Sequence, residues 1–228
     1  MKRILPLLAL SLAVMACAAP PSYTSLFNGK TFEGWKVTPD IEAHWKTDGG
    51  ALVFDGVRGD LWTEKSFENF ELLVDWRWVG PSQGPLNRPL IEPTGDYTLD
   101  ENGKQVTLTV EERDSGIYLR GNSKSQVNIW VWPAGSGEVW GYRTDKNKPA
   151  ATRAAATPLK NADRPVGEWN HFRIRLEGEV LNVFLNGTHV IADCTLVGVP
   201  TSGPIALQAH GSGIAFKNIK IRSLDESK

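Results

Sequence analysis

Along most of the chain, apolar and polar residues alternate with the two-residue period of a β-strand. The runs Phe70–Trp78 (FELLVDWRW) and Asn170–Leu176 (NHFRIRL) alternate or nearly so. Gly, Asn, Asp and Pro punctuate such runs about every ten residues, and no capped helical period persists for three turns. The C-terminal third is the most regular. His171–Leu176 turns at Glu177-Gly178-Glu179 into Val180–Leu185, which turns at Asn186-Gly187 into His189–Ala192; Ile205–Ala209 and Ile214–Ile221 follow. Asn-Gly between alternating runs signals a tight hairpin. Many short antiparallel strands in a chain of this size predict an all-β sandwich.

Two neighbouring runs alternate in an unusual way. In the second, Gln126, Asn128, Trp130 and Trp132 fall on one side and Val127, Ile129 and Val131 on the other. In the first, Asp114, Tyr118 and Arg120 oppose Ser115, Ile117 and Leu119. A solvated strand face carries Thr, Lys and Glu. Amide, guanidinium and flat aromatic groups instead hold a sugar by hydrogen bonds and ring stacking. The stretch from Asp114 to Arg143 is therefore a candidate carbohydrate site. Ahead of it, residues 80–113 contain several prolines, Tyr97-Thr98-Leu99, a turn at Asp100–Lys104 and Gln105–Val110. They read as a long loop tipped by its own hairpin, inserted between core strands as a rim or lid. Asp145–Arg164 reads as an exposed loop.

The N-terminus changes the picture of where the protein works. Lys2 and Arg3 precede an apolar stretch, Ile4–Val14, too short to span a bilayer. Val14-Met15-Ala16-Cys17 then resembles a bacterial lipobox, which makes residues 1–16 a signal peptide and Cys17 a lipidated N-terminus. Residues 17–24, with Pro20-Pro21-Ser22, read as a stiff tether, and residues 25–226 as one jelly-roll domain. The expected location is outside a bacterial cell, anchored to its membrane through Cys17. A formal net charge of -1, with no block of Lys or Arg, argues against nucleic acid as partner. Cys194 is the only other cysteine and reads as a buried apolar residue. No His-x-His, HExxH or paired-cysteine motif is present, so neither a metal nor another cofactor is expected.

Leu26-Phe27-Asn28-Gly29-Lys30 with Gly34-Trp35 resembles the opening signature of the bacterial 3-keto-disaccharide hydrolase family. Further landmarks follow in the family's order: Asn69-Phe70-Glu71-Leu72, Asp114–Arg120 (DSGIYLR), Gly167-Glu168-Trp169-Asn170, Leu185-Asn186-Gly187 and Gly203–His210 (GPIALQAH). The resemblance implies a concanavalin A-like jelly roll of two curved antiparallel sheets. It also implies cleavage of disaccharides or glucosides whose 3-hydroxyl is already a ketone. Members often carry an acidic residue and a glutamine where this chain has Gln126 and Asn128. The family's usual Asn-Ser-Gly-Ile is Asp114-Ser115-Gly116-Ile117 here.

Such a reaction needs a base for the C2 proton, a group to hold the enolate oxygen and an acid for the leaving group. His210 is the first candidate base, because histidine titrates nearest to working pH; it shares a strand face with Gln208. Arg120 is the candidate oxyanion clamp. Glu138, expected on a strand face with Trp140 and Tyr142, replaces the acid that Gln126 cannot supply. Asp75 and Arg77 are further substrate-binding candidates, with Asp114, Tyr118, Gln126, Asn128, Trp130, Tyr142 and Gln208. Trp130 is favoured as the sugar platform over Trp132 and Trp140, and Trp35, Trp45, Trp62, Trp76 and Trp169 are assigned to the core. Two other readings stay open: a noncatalytic, lectin-like carbohydrate-binding module, and a conventional glycosidase working through two carboxylates.

Overall fold

The computed structural model describes residues 22–225; the expected signal peptide, the expected lipidation site Cys17 and most of the expected tether lie outside them. In chain order the first strands are β1 (Thr24–Ser25), β2 (Trp35–Lys36), β3 (Trp45–Asp48), β4 (Ala51–Phe54), β5 (Leu61–Phe67) and β6 (Phe70–Trp78). A small hairpin, β7 (Pro85–Pro89) and β8 (Thr107–Glu111), precedes β9 (Asp114–Leu119) and β10 (Asn122–Trp130). The last five are β11 (Asn170–Glu177), β12 (Val180–Leu185), β13 (Thr188–Thr195), β14 (Gly203–Leu207) and β15 (Ile214–Ser223). Three short helices join them: α1 (Pro39–His44), α2 (Trp140–Arg143) and α3 (Ala150–Ala155).

Apart from the β7–β8 hairpin, these strands make two antiparallel sheets packed face to face, the jelly-roll sandwich expected. One runs β13-β12-β11-β6-β15-β4-β3, with β1 on β15; the other runs β10-β9-β14-β5-β2. Strand alternation decides which residues meet between them. Leu72, Val74 and Trp76 of β6, and Phe172 and Ile174 of β11, face Ile117, Val127, Ile129 and Ile205 of the smaller sheet. Burying a side chain of this size contributes roughly 1.5–3 kcal/mol each, so the layered apolar faces hold the register of every strand. Asn186 at φ 51 and Gly187 at φ 82 close β12 onto β13 in the left-handed turn that Asn-Gly favours. Cys194 is buried in this core, and desolvation pushes its thiol up to about 12.

The segment ahead of β9 is more ordered than a loop with a hairpin tip. Pairing of β7 with β8 continues through Ile91–Tyr97 and Leu99–Gln105 bridges to a tight turn, where Asp100 O accepts from Gly103 N at 3.0 Å. Its far end is docked by charge. Asp96 Oδ1 meets Arg153 Nη1 of α3 at 2.7 Å and Lys146 Nζ at 2.6 Å, which lowers the Asp96 pKa to about 2. The stretch from Asp145 to Arg164, expected to be an exposed loop, thus contains a helix that receives the hairpin.

Arg120 departs from its expected place. β9 ends at Leu119, and Arg120 takes φ 50 in the turn to β10, so alternation fails and its side chain leaves the sheet face. It is only 2% exposed. Its guanidinium donates to Glu68 O (2.7 Å), Gly178 O (2.7 Å), Pro200 O (3.1 Å) and Asn69 Oδ1 (3.2 Å). It ties loops of both sheets together at one end of the sandwich and does not reach the site described below. Arg120→Met should leave these acceptors without donors and lower stability by about 3 kcal/mol or more, measured by denaturant unfolding.

Candidate functional site

The outer face of the smaller sheet carries a cleft of about 350 Å3. Its floor is set by strand pairing. β9 and β10 place Trp130 opposite Asp114 and Asn128 opposite Gly116. Gly116 is required by crowding, since a Cβ there would lie 2.1 Å from Gln126 Nε2. The Gln126 amide fills that space, donating to Gln208 Oε1 at 2.6 Å and to Ser115 O at 3.3 Å. The amides of Gln126, Asn128 and Gln208 therefore form a fixed polar floor, and of the other expected residues Asp114, Trp130 and His210 line the cleft with them.

His210 stands at one side of the cleft with its Nδ1 3.0 Å from Asp114 Oδ2. The segment after β14 that carries it is tied down from several directions. Ala209 N donates to Asp60 Oδ1 at 2.8 Å, and Gln83 of the insertion donates to His210 O at 3.1 Å and to Ser212 Oγ at 2.8 Å. The hydrogen bond with Asp114 raises the His210 pKa above its ordinary 6.5; burial opposes the shift, and the charges of Asp114, Glu112 and Asp60 add to it. With Nδ1–H held by the carboxylate, Nε2 keeps its lone pair for the cleft.

Arg88 reaches the cleft from β7, in the segment expected to be a rim or lid but with no residue of it singled out. Its Nε and Nη2 donate to Glu112 Oε2 and Oε1 at 2.8 and 2.6 Å, a bidentate pair in which Glu112 is 1% exposed. The guanidinium lies 4.8 Å from the Trp132 ring centroid. The local signal for Arg88 was alternation in Leu86-Asn87-Arg88; nothing in the sequence pointed to its partner 24 residues on. Asp60 was also missed. Burial raises its pKa, beside Tyr118 and His210.

Several expected residues belong elsewhere. Trp140–Arg143 is a helical turn, so Glu138, Trp140 and Tyr142 do not share a strand face. Glu138 is fully buried, paired with Arg143 Nε and accepting from Asn128 Nδ2 at 2.7 Å. Arg143 is itself 1% exposed, lowered in pKa by desolvation, and donates to Gly95 O of the insertion at 3.1 Å. Glu138 is thus a buried counter-charge that aims Asn128, without access to substrate. Tyr142 packs into the core with its hydroxyl on Val197 O. Asp75 and Arg77 lie on the outer face of the larger sheet. There Asp75 pairs with His171 at 2.6 Å and with Asn218, while Arg77 stacks on Trp169 at 4.7 Å. Trp169 is consequently half-buried between Arg77 and Lys217 and is not a core residue. Tyr118 does share the outer face, but lies toward β5 against Trp62, which is likewise outside the core; burial and Asp60 push its phenol up to about 12. The favoured platform Trp130 is 2% exposed and stacked on Trp132, centroids 4.2 Å apart. A larger hollow of about 850 Å3 near Ser66, Asn69 and Asp225 has no histidine in its lining. Among the described residues no three His, Cys, Asp or Glu side chains converge as a metal site.

Fold and cleft together define the class: a jelly-roll β-sandwich with an amide-floored, tryptophan-rimmed cleft on the outer face of one sheet. Within it, the sequence profile of the 3-keto-alpha-glucoside-1,2-lyase-like domain matches residues 22–222, and the chain belongs to that family. A 3-keto-disaccharide hydrolase from Bacteroides thetaiotaomicron is 23% identical, the match covering 89% of this chain and 79% of that protein. A protein from Parabacteroides distasonis, solved as a candidate glycosyl hydrolase, superposes with a TM-score of 0.57. It is 24% identical, and the match covers 89% of this chain and 100% of that one. A carbohydrate-binding module, CBM66 of Bacillus subtilis, shares the fold at a TM-score of 0.50 and 15% identity over 83% of this chain and 96% of that one.

Two measurements check this geometry. Glu138→Ala should cost about 3–5 kcal/mol on denaturant unfolding, because it strands a buried guanidinium. Asp114→Asn removes the anion that holds the imidazolium, so the His210 pKa should fall toward 6.5 in an NMR titration. An unchanged His210 titration would show that the two side chains do not interact in solution.

Proposed function

We propose that the protein is an enzyme that cleaves 3-keto-disaccharides or 3-keto-glucosides by base-initiated elimination, followed by hydration. The observation that carries this reading is the Asp114–His210 pair beside an amide floor. A module that only bound sugar would have no need of an oriented imidazole. A ketone at C3 acidifies the C2 hydrogen. His210 Nε2 takes that proton, and its electron pair forms the enolate between C2 and C3. Collapse of the enolate restores the ketone, forms a C1–C2 double bond and breaks the C1–O bond, releasing the second sugar. Water added across the new double bond, hydroxyl to C1 and proton to C2, gives net hydrolysis.

The other roles follow from placement. Arg88 stands in for Arg120 as the cation for the enolate oxygen, since two of its guanidinium nitrogens are fixed on Glu112. Protonated His210 replaces Glu138 as the acid nearest the leaving oxygen. Gln126, Asn128 and Gln208 hold the sugar hydroxyls. The protein is further proposed to work outside a bacterial cell, lipid-anchored through Cys17, which can be checked by mass spectrometry of the mature N-terminus. The family membership and the relative named for 3-keto-disaccharides support the substrate class.

The test is incubation of the purified protein with 3-keto-lactose or 3-keto-trehalose and with the unoxidised sugars. Turnover of the keto sugar alone is expected; binding without release would establish a lectin-like module instead. His210→Ala should lower kcat/KM by on the order of a hundredfold or more. Because the base must be neutral, kcat/KM should rise with pH through the raised pKa of His210, and Asp114→Asn should move that acidic limb to lower pH. Full activity of His210→Ala would end the assignment.

A further inference from the structure

We infer that Trp140 is the platform of a second sugar subsite, which takes the neutral leaving sugar; this rests on the reading above. Of the three cleft tryptophans, only Trp140 offers open ring surface. Trp130 and Trp132 stack on each other at an interplanar angle of 7°, and Arg88 lies over the Trp132 ring. They are 2% and 6% exposed, whereas Trp140 is 42% exposed.

Trp140 is also held where it stands. It meets Trp130 and Trp132 edge-on at 86° and 87°, with centroids 6.5 and 6.3 Å away. Arg143 lies 5.5 Å from its ring centroid. The next residue, Gly141, lets α2 press onto β10, since a Cβ there would sit 2.5 Å from Lys124 O. An exposed indole on a four-residue helix would otherwise be free to turn away.

Its position separates it from the reacting centre. His210 follows β14, and β9 and β10 lie between that strand and α2. With neighbouring strands about 4.8 Å apart, β14 and β10 are separated by roughly 10 Å, and Trp140 lies beyond β10. That separation suits two linked pyranose rings, one at His210 and the other at Trp140. Charge defines the second ring as neutral. The cations beside the tryptophans, Arg88 and Arg143, are each matched by a buried carboxylate, Glu112 and Glu138.

The experiment compares 3-keto-lactose with methyl 3-keto-glucoside, whose leaving group is too small to stack, in wild type, Trp140→Phe and Trp140→Ala. The kcat/KM ratio of disaccharide to methyl glycoside should fall roughly tenfold in Trp140→Ala and by less in Trp140→Phe, mainly through KM. An unchanged ratio, or an equal loss with both substrates, would overturn the subsite. Saturation-transfer NMR with unoxidised lactose reads the subsite without turnover. Loss of transfer in Trp140→Ala upholds it even if no keto sugar is cleaved, an outcome that would end the enzymatic reading alone. Undiminished transfer would overturn it.

Discussion

The buried pair of Glu138 and Arg143 is the constraint on which the rest of the site depends. Two full charges removed from water persist only where each finds partners on all sides. Glu138 finds Arg143 and the Asn128 amide; Arg143 finds Glu138, the carbonyl of Gly95 and the ring of Tyr97. One ion pair therefore joins a strand of the smaller sheet, a helical turn and the inserted hairpin. Taking away any of the three would leave a charge stranded.

That arrangement makes the insertion part of the wall. Its base supplies Arg88, its middle accepts Arg143, and its Asp96 is held by α3 and Lys146. The cleft is consequently prepared before a ligand arrives. The entropy of ordering Arg88 and the three amides is met by folding and not by binding.

The sandwich was legible because its signal is periodic: β6, β11 and β12 lie almost where alternation places them. The cleft floor was legible for the same reason, since Asp114, Gln126, Asn128, Trp130 and Gln208 obey the two-residue period. Misplacement began where the period stopped. Arg120 turns away at a left-handed residue, Tyr142 turns inward on a helical turn, and Asp75 has the right alternation but belongs to the other sheet. Periodicity reports which side of a strand a residue occupies and is silent on which sheet owns the strand. Arg88 was hidden for a different reason. Its role is defined by Glu112 and Trp132, contacts of long range that leave no local pattern.

Gly116 carries a consequence for how the site changes over generations. Its missing side chain leaves a slot for a five-heavy-atom side chain from position 126, a shape that glutamate shares with glutamine although it has no donor for Gln208 Oε1 and Ser115 O. A single base change in the codon can therefore switch the floor between neutral and anionic while its shape is preserved. Gly116 is the fixed member that keeps the exchange open.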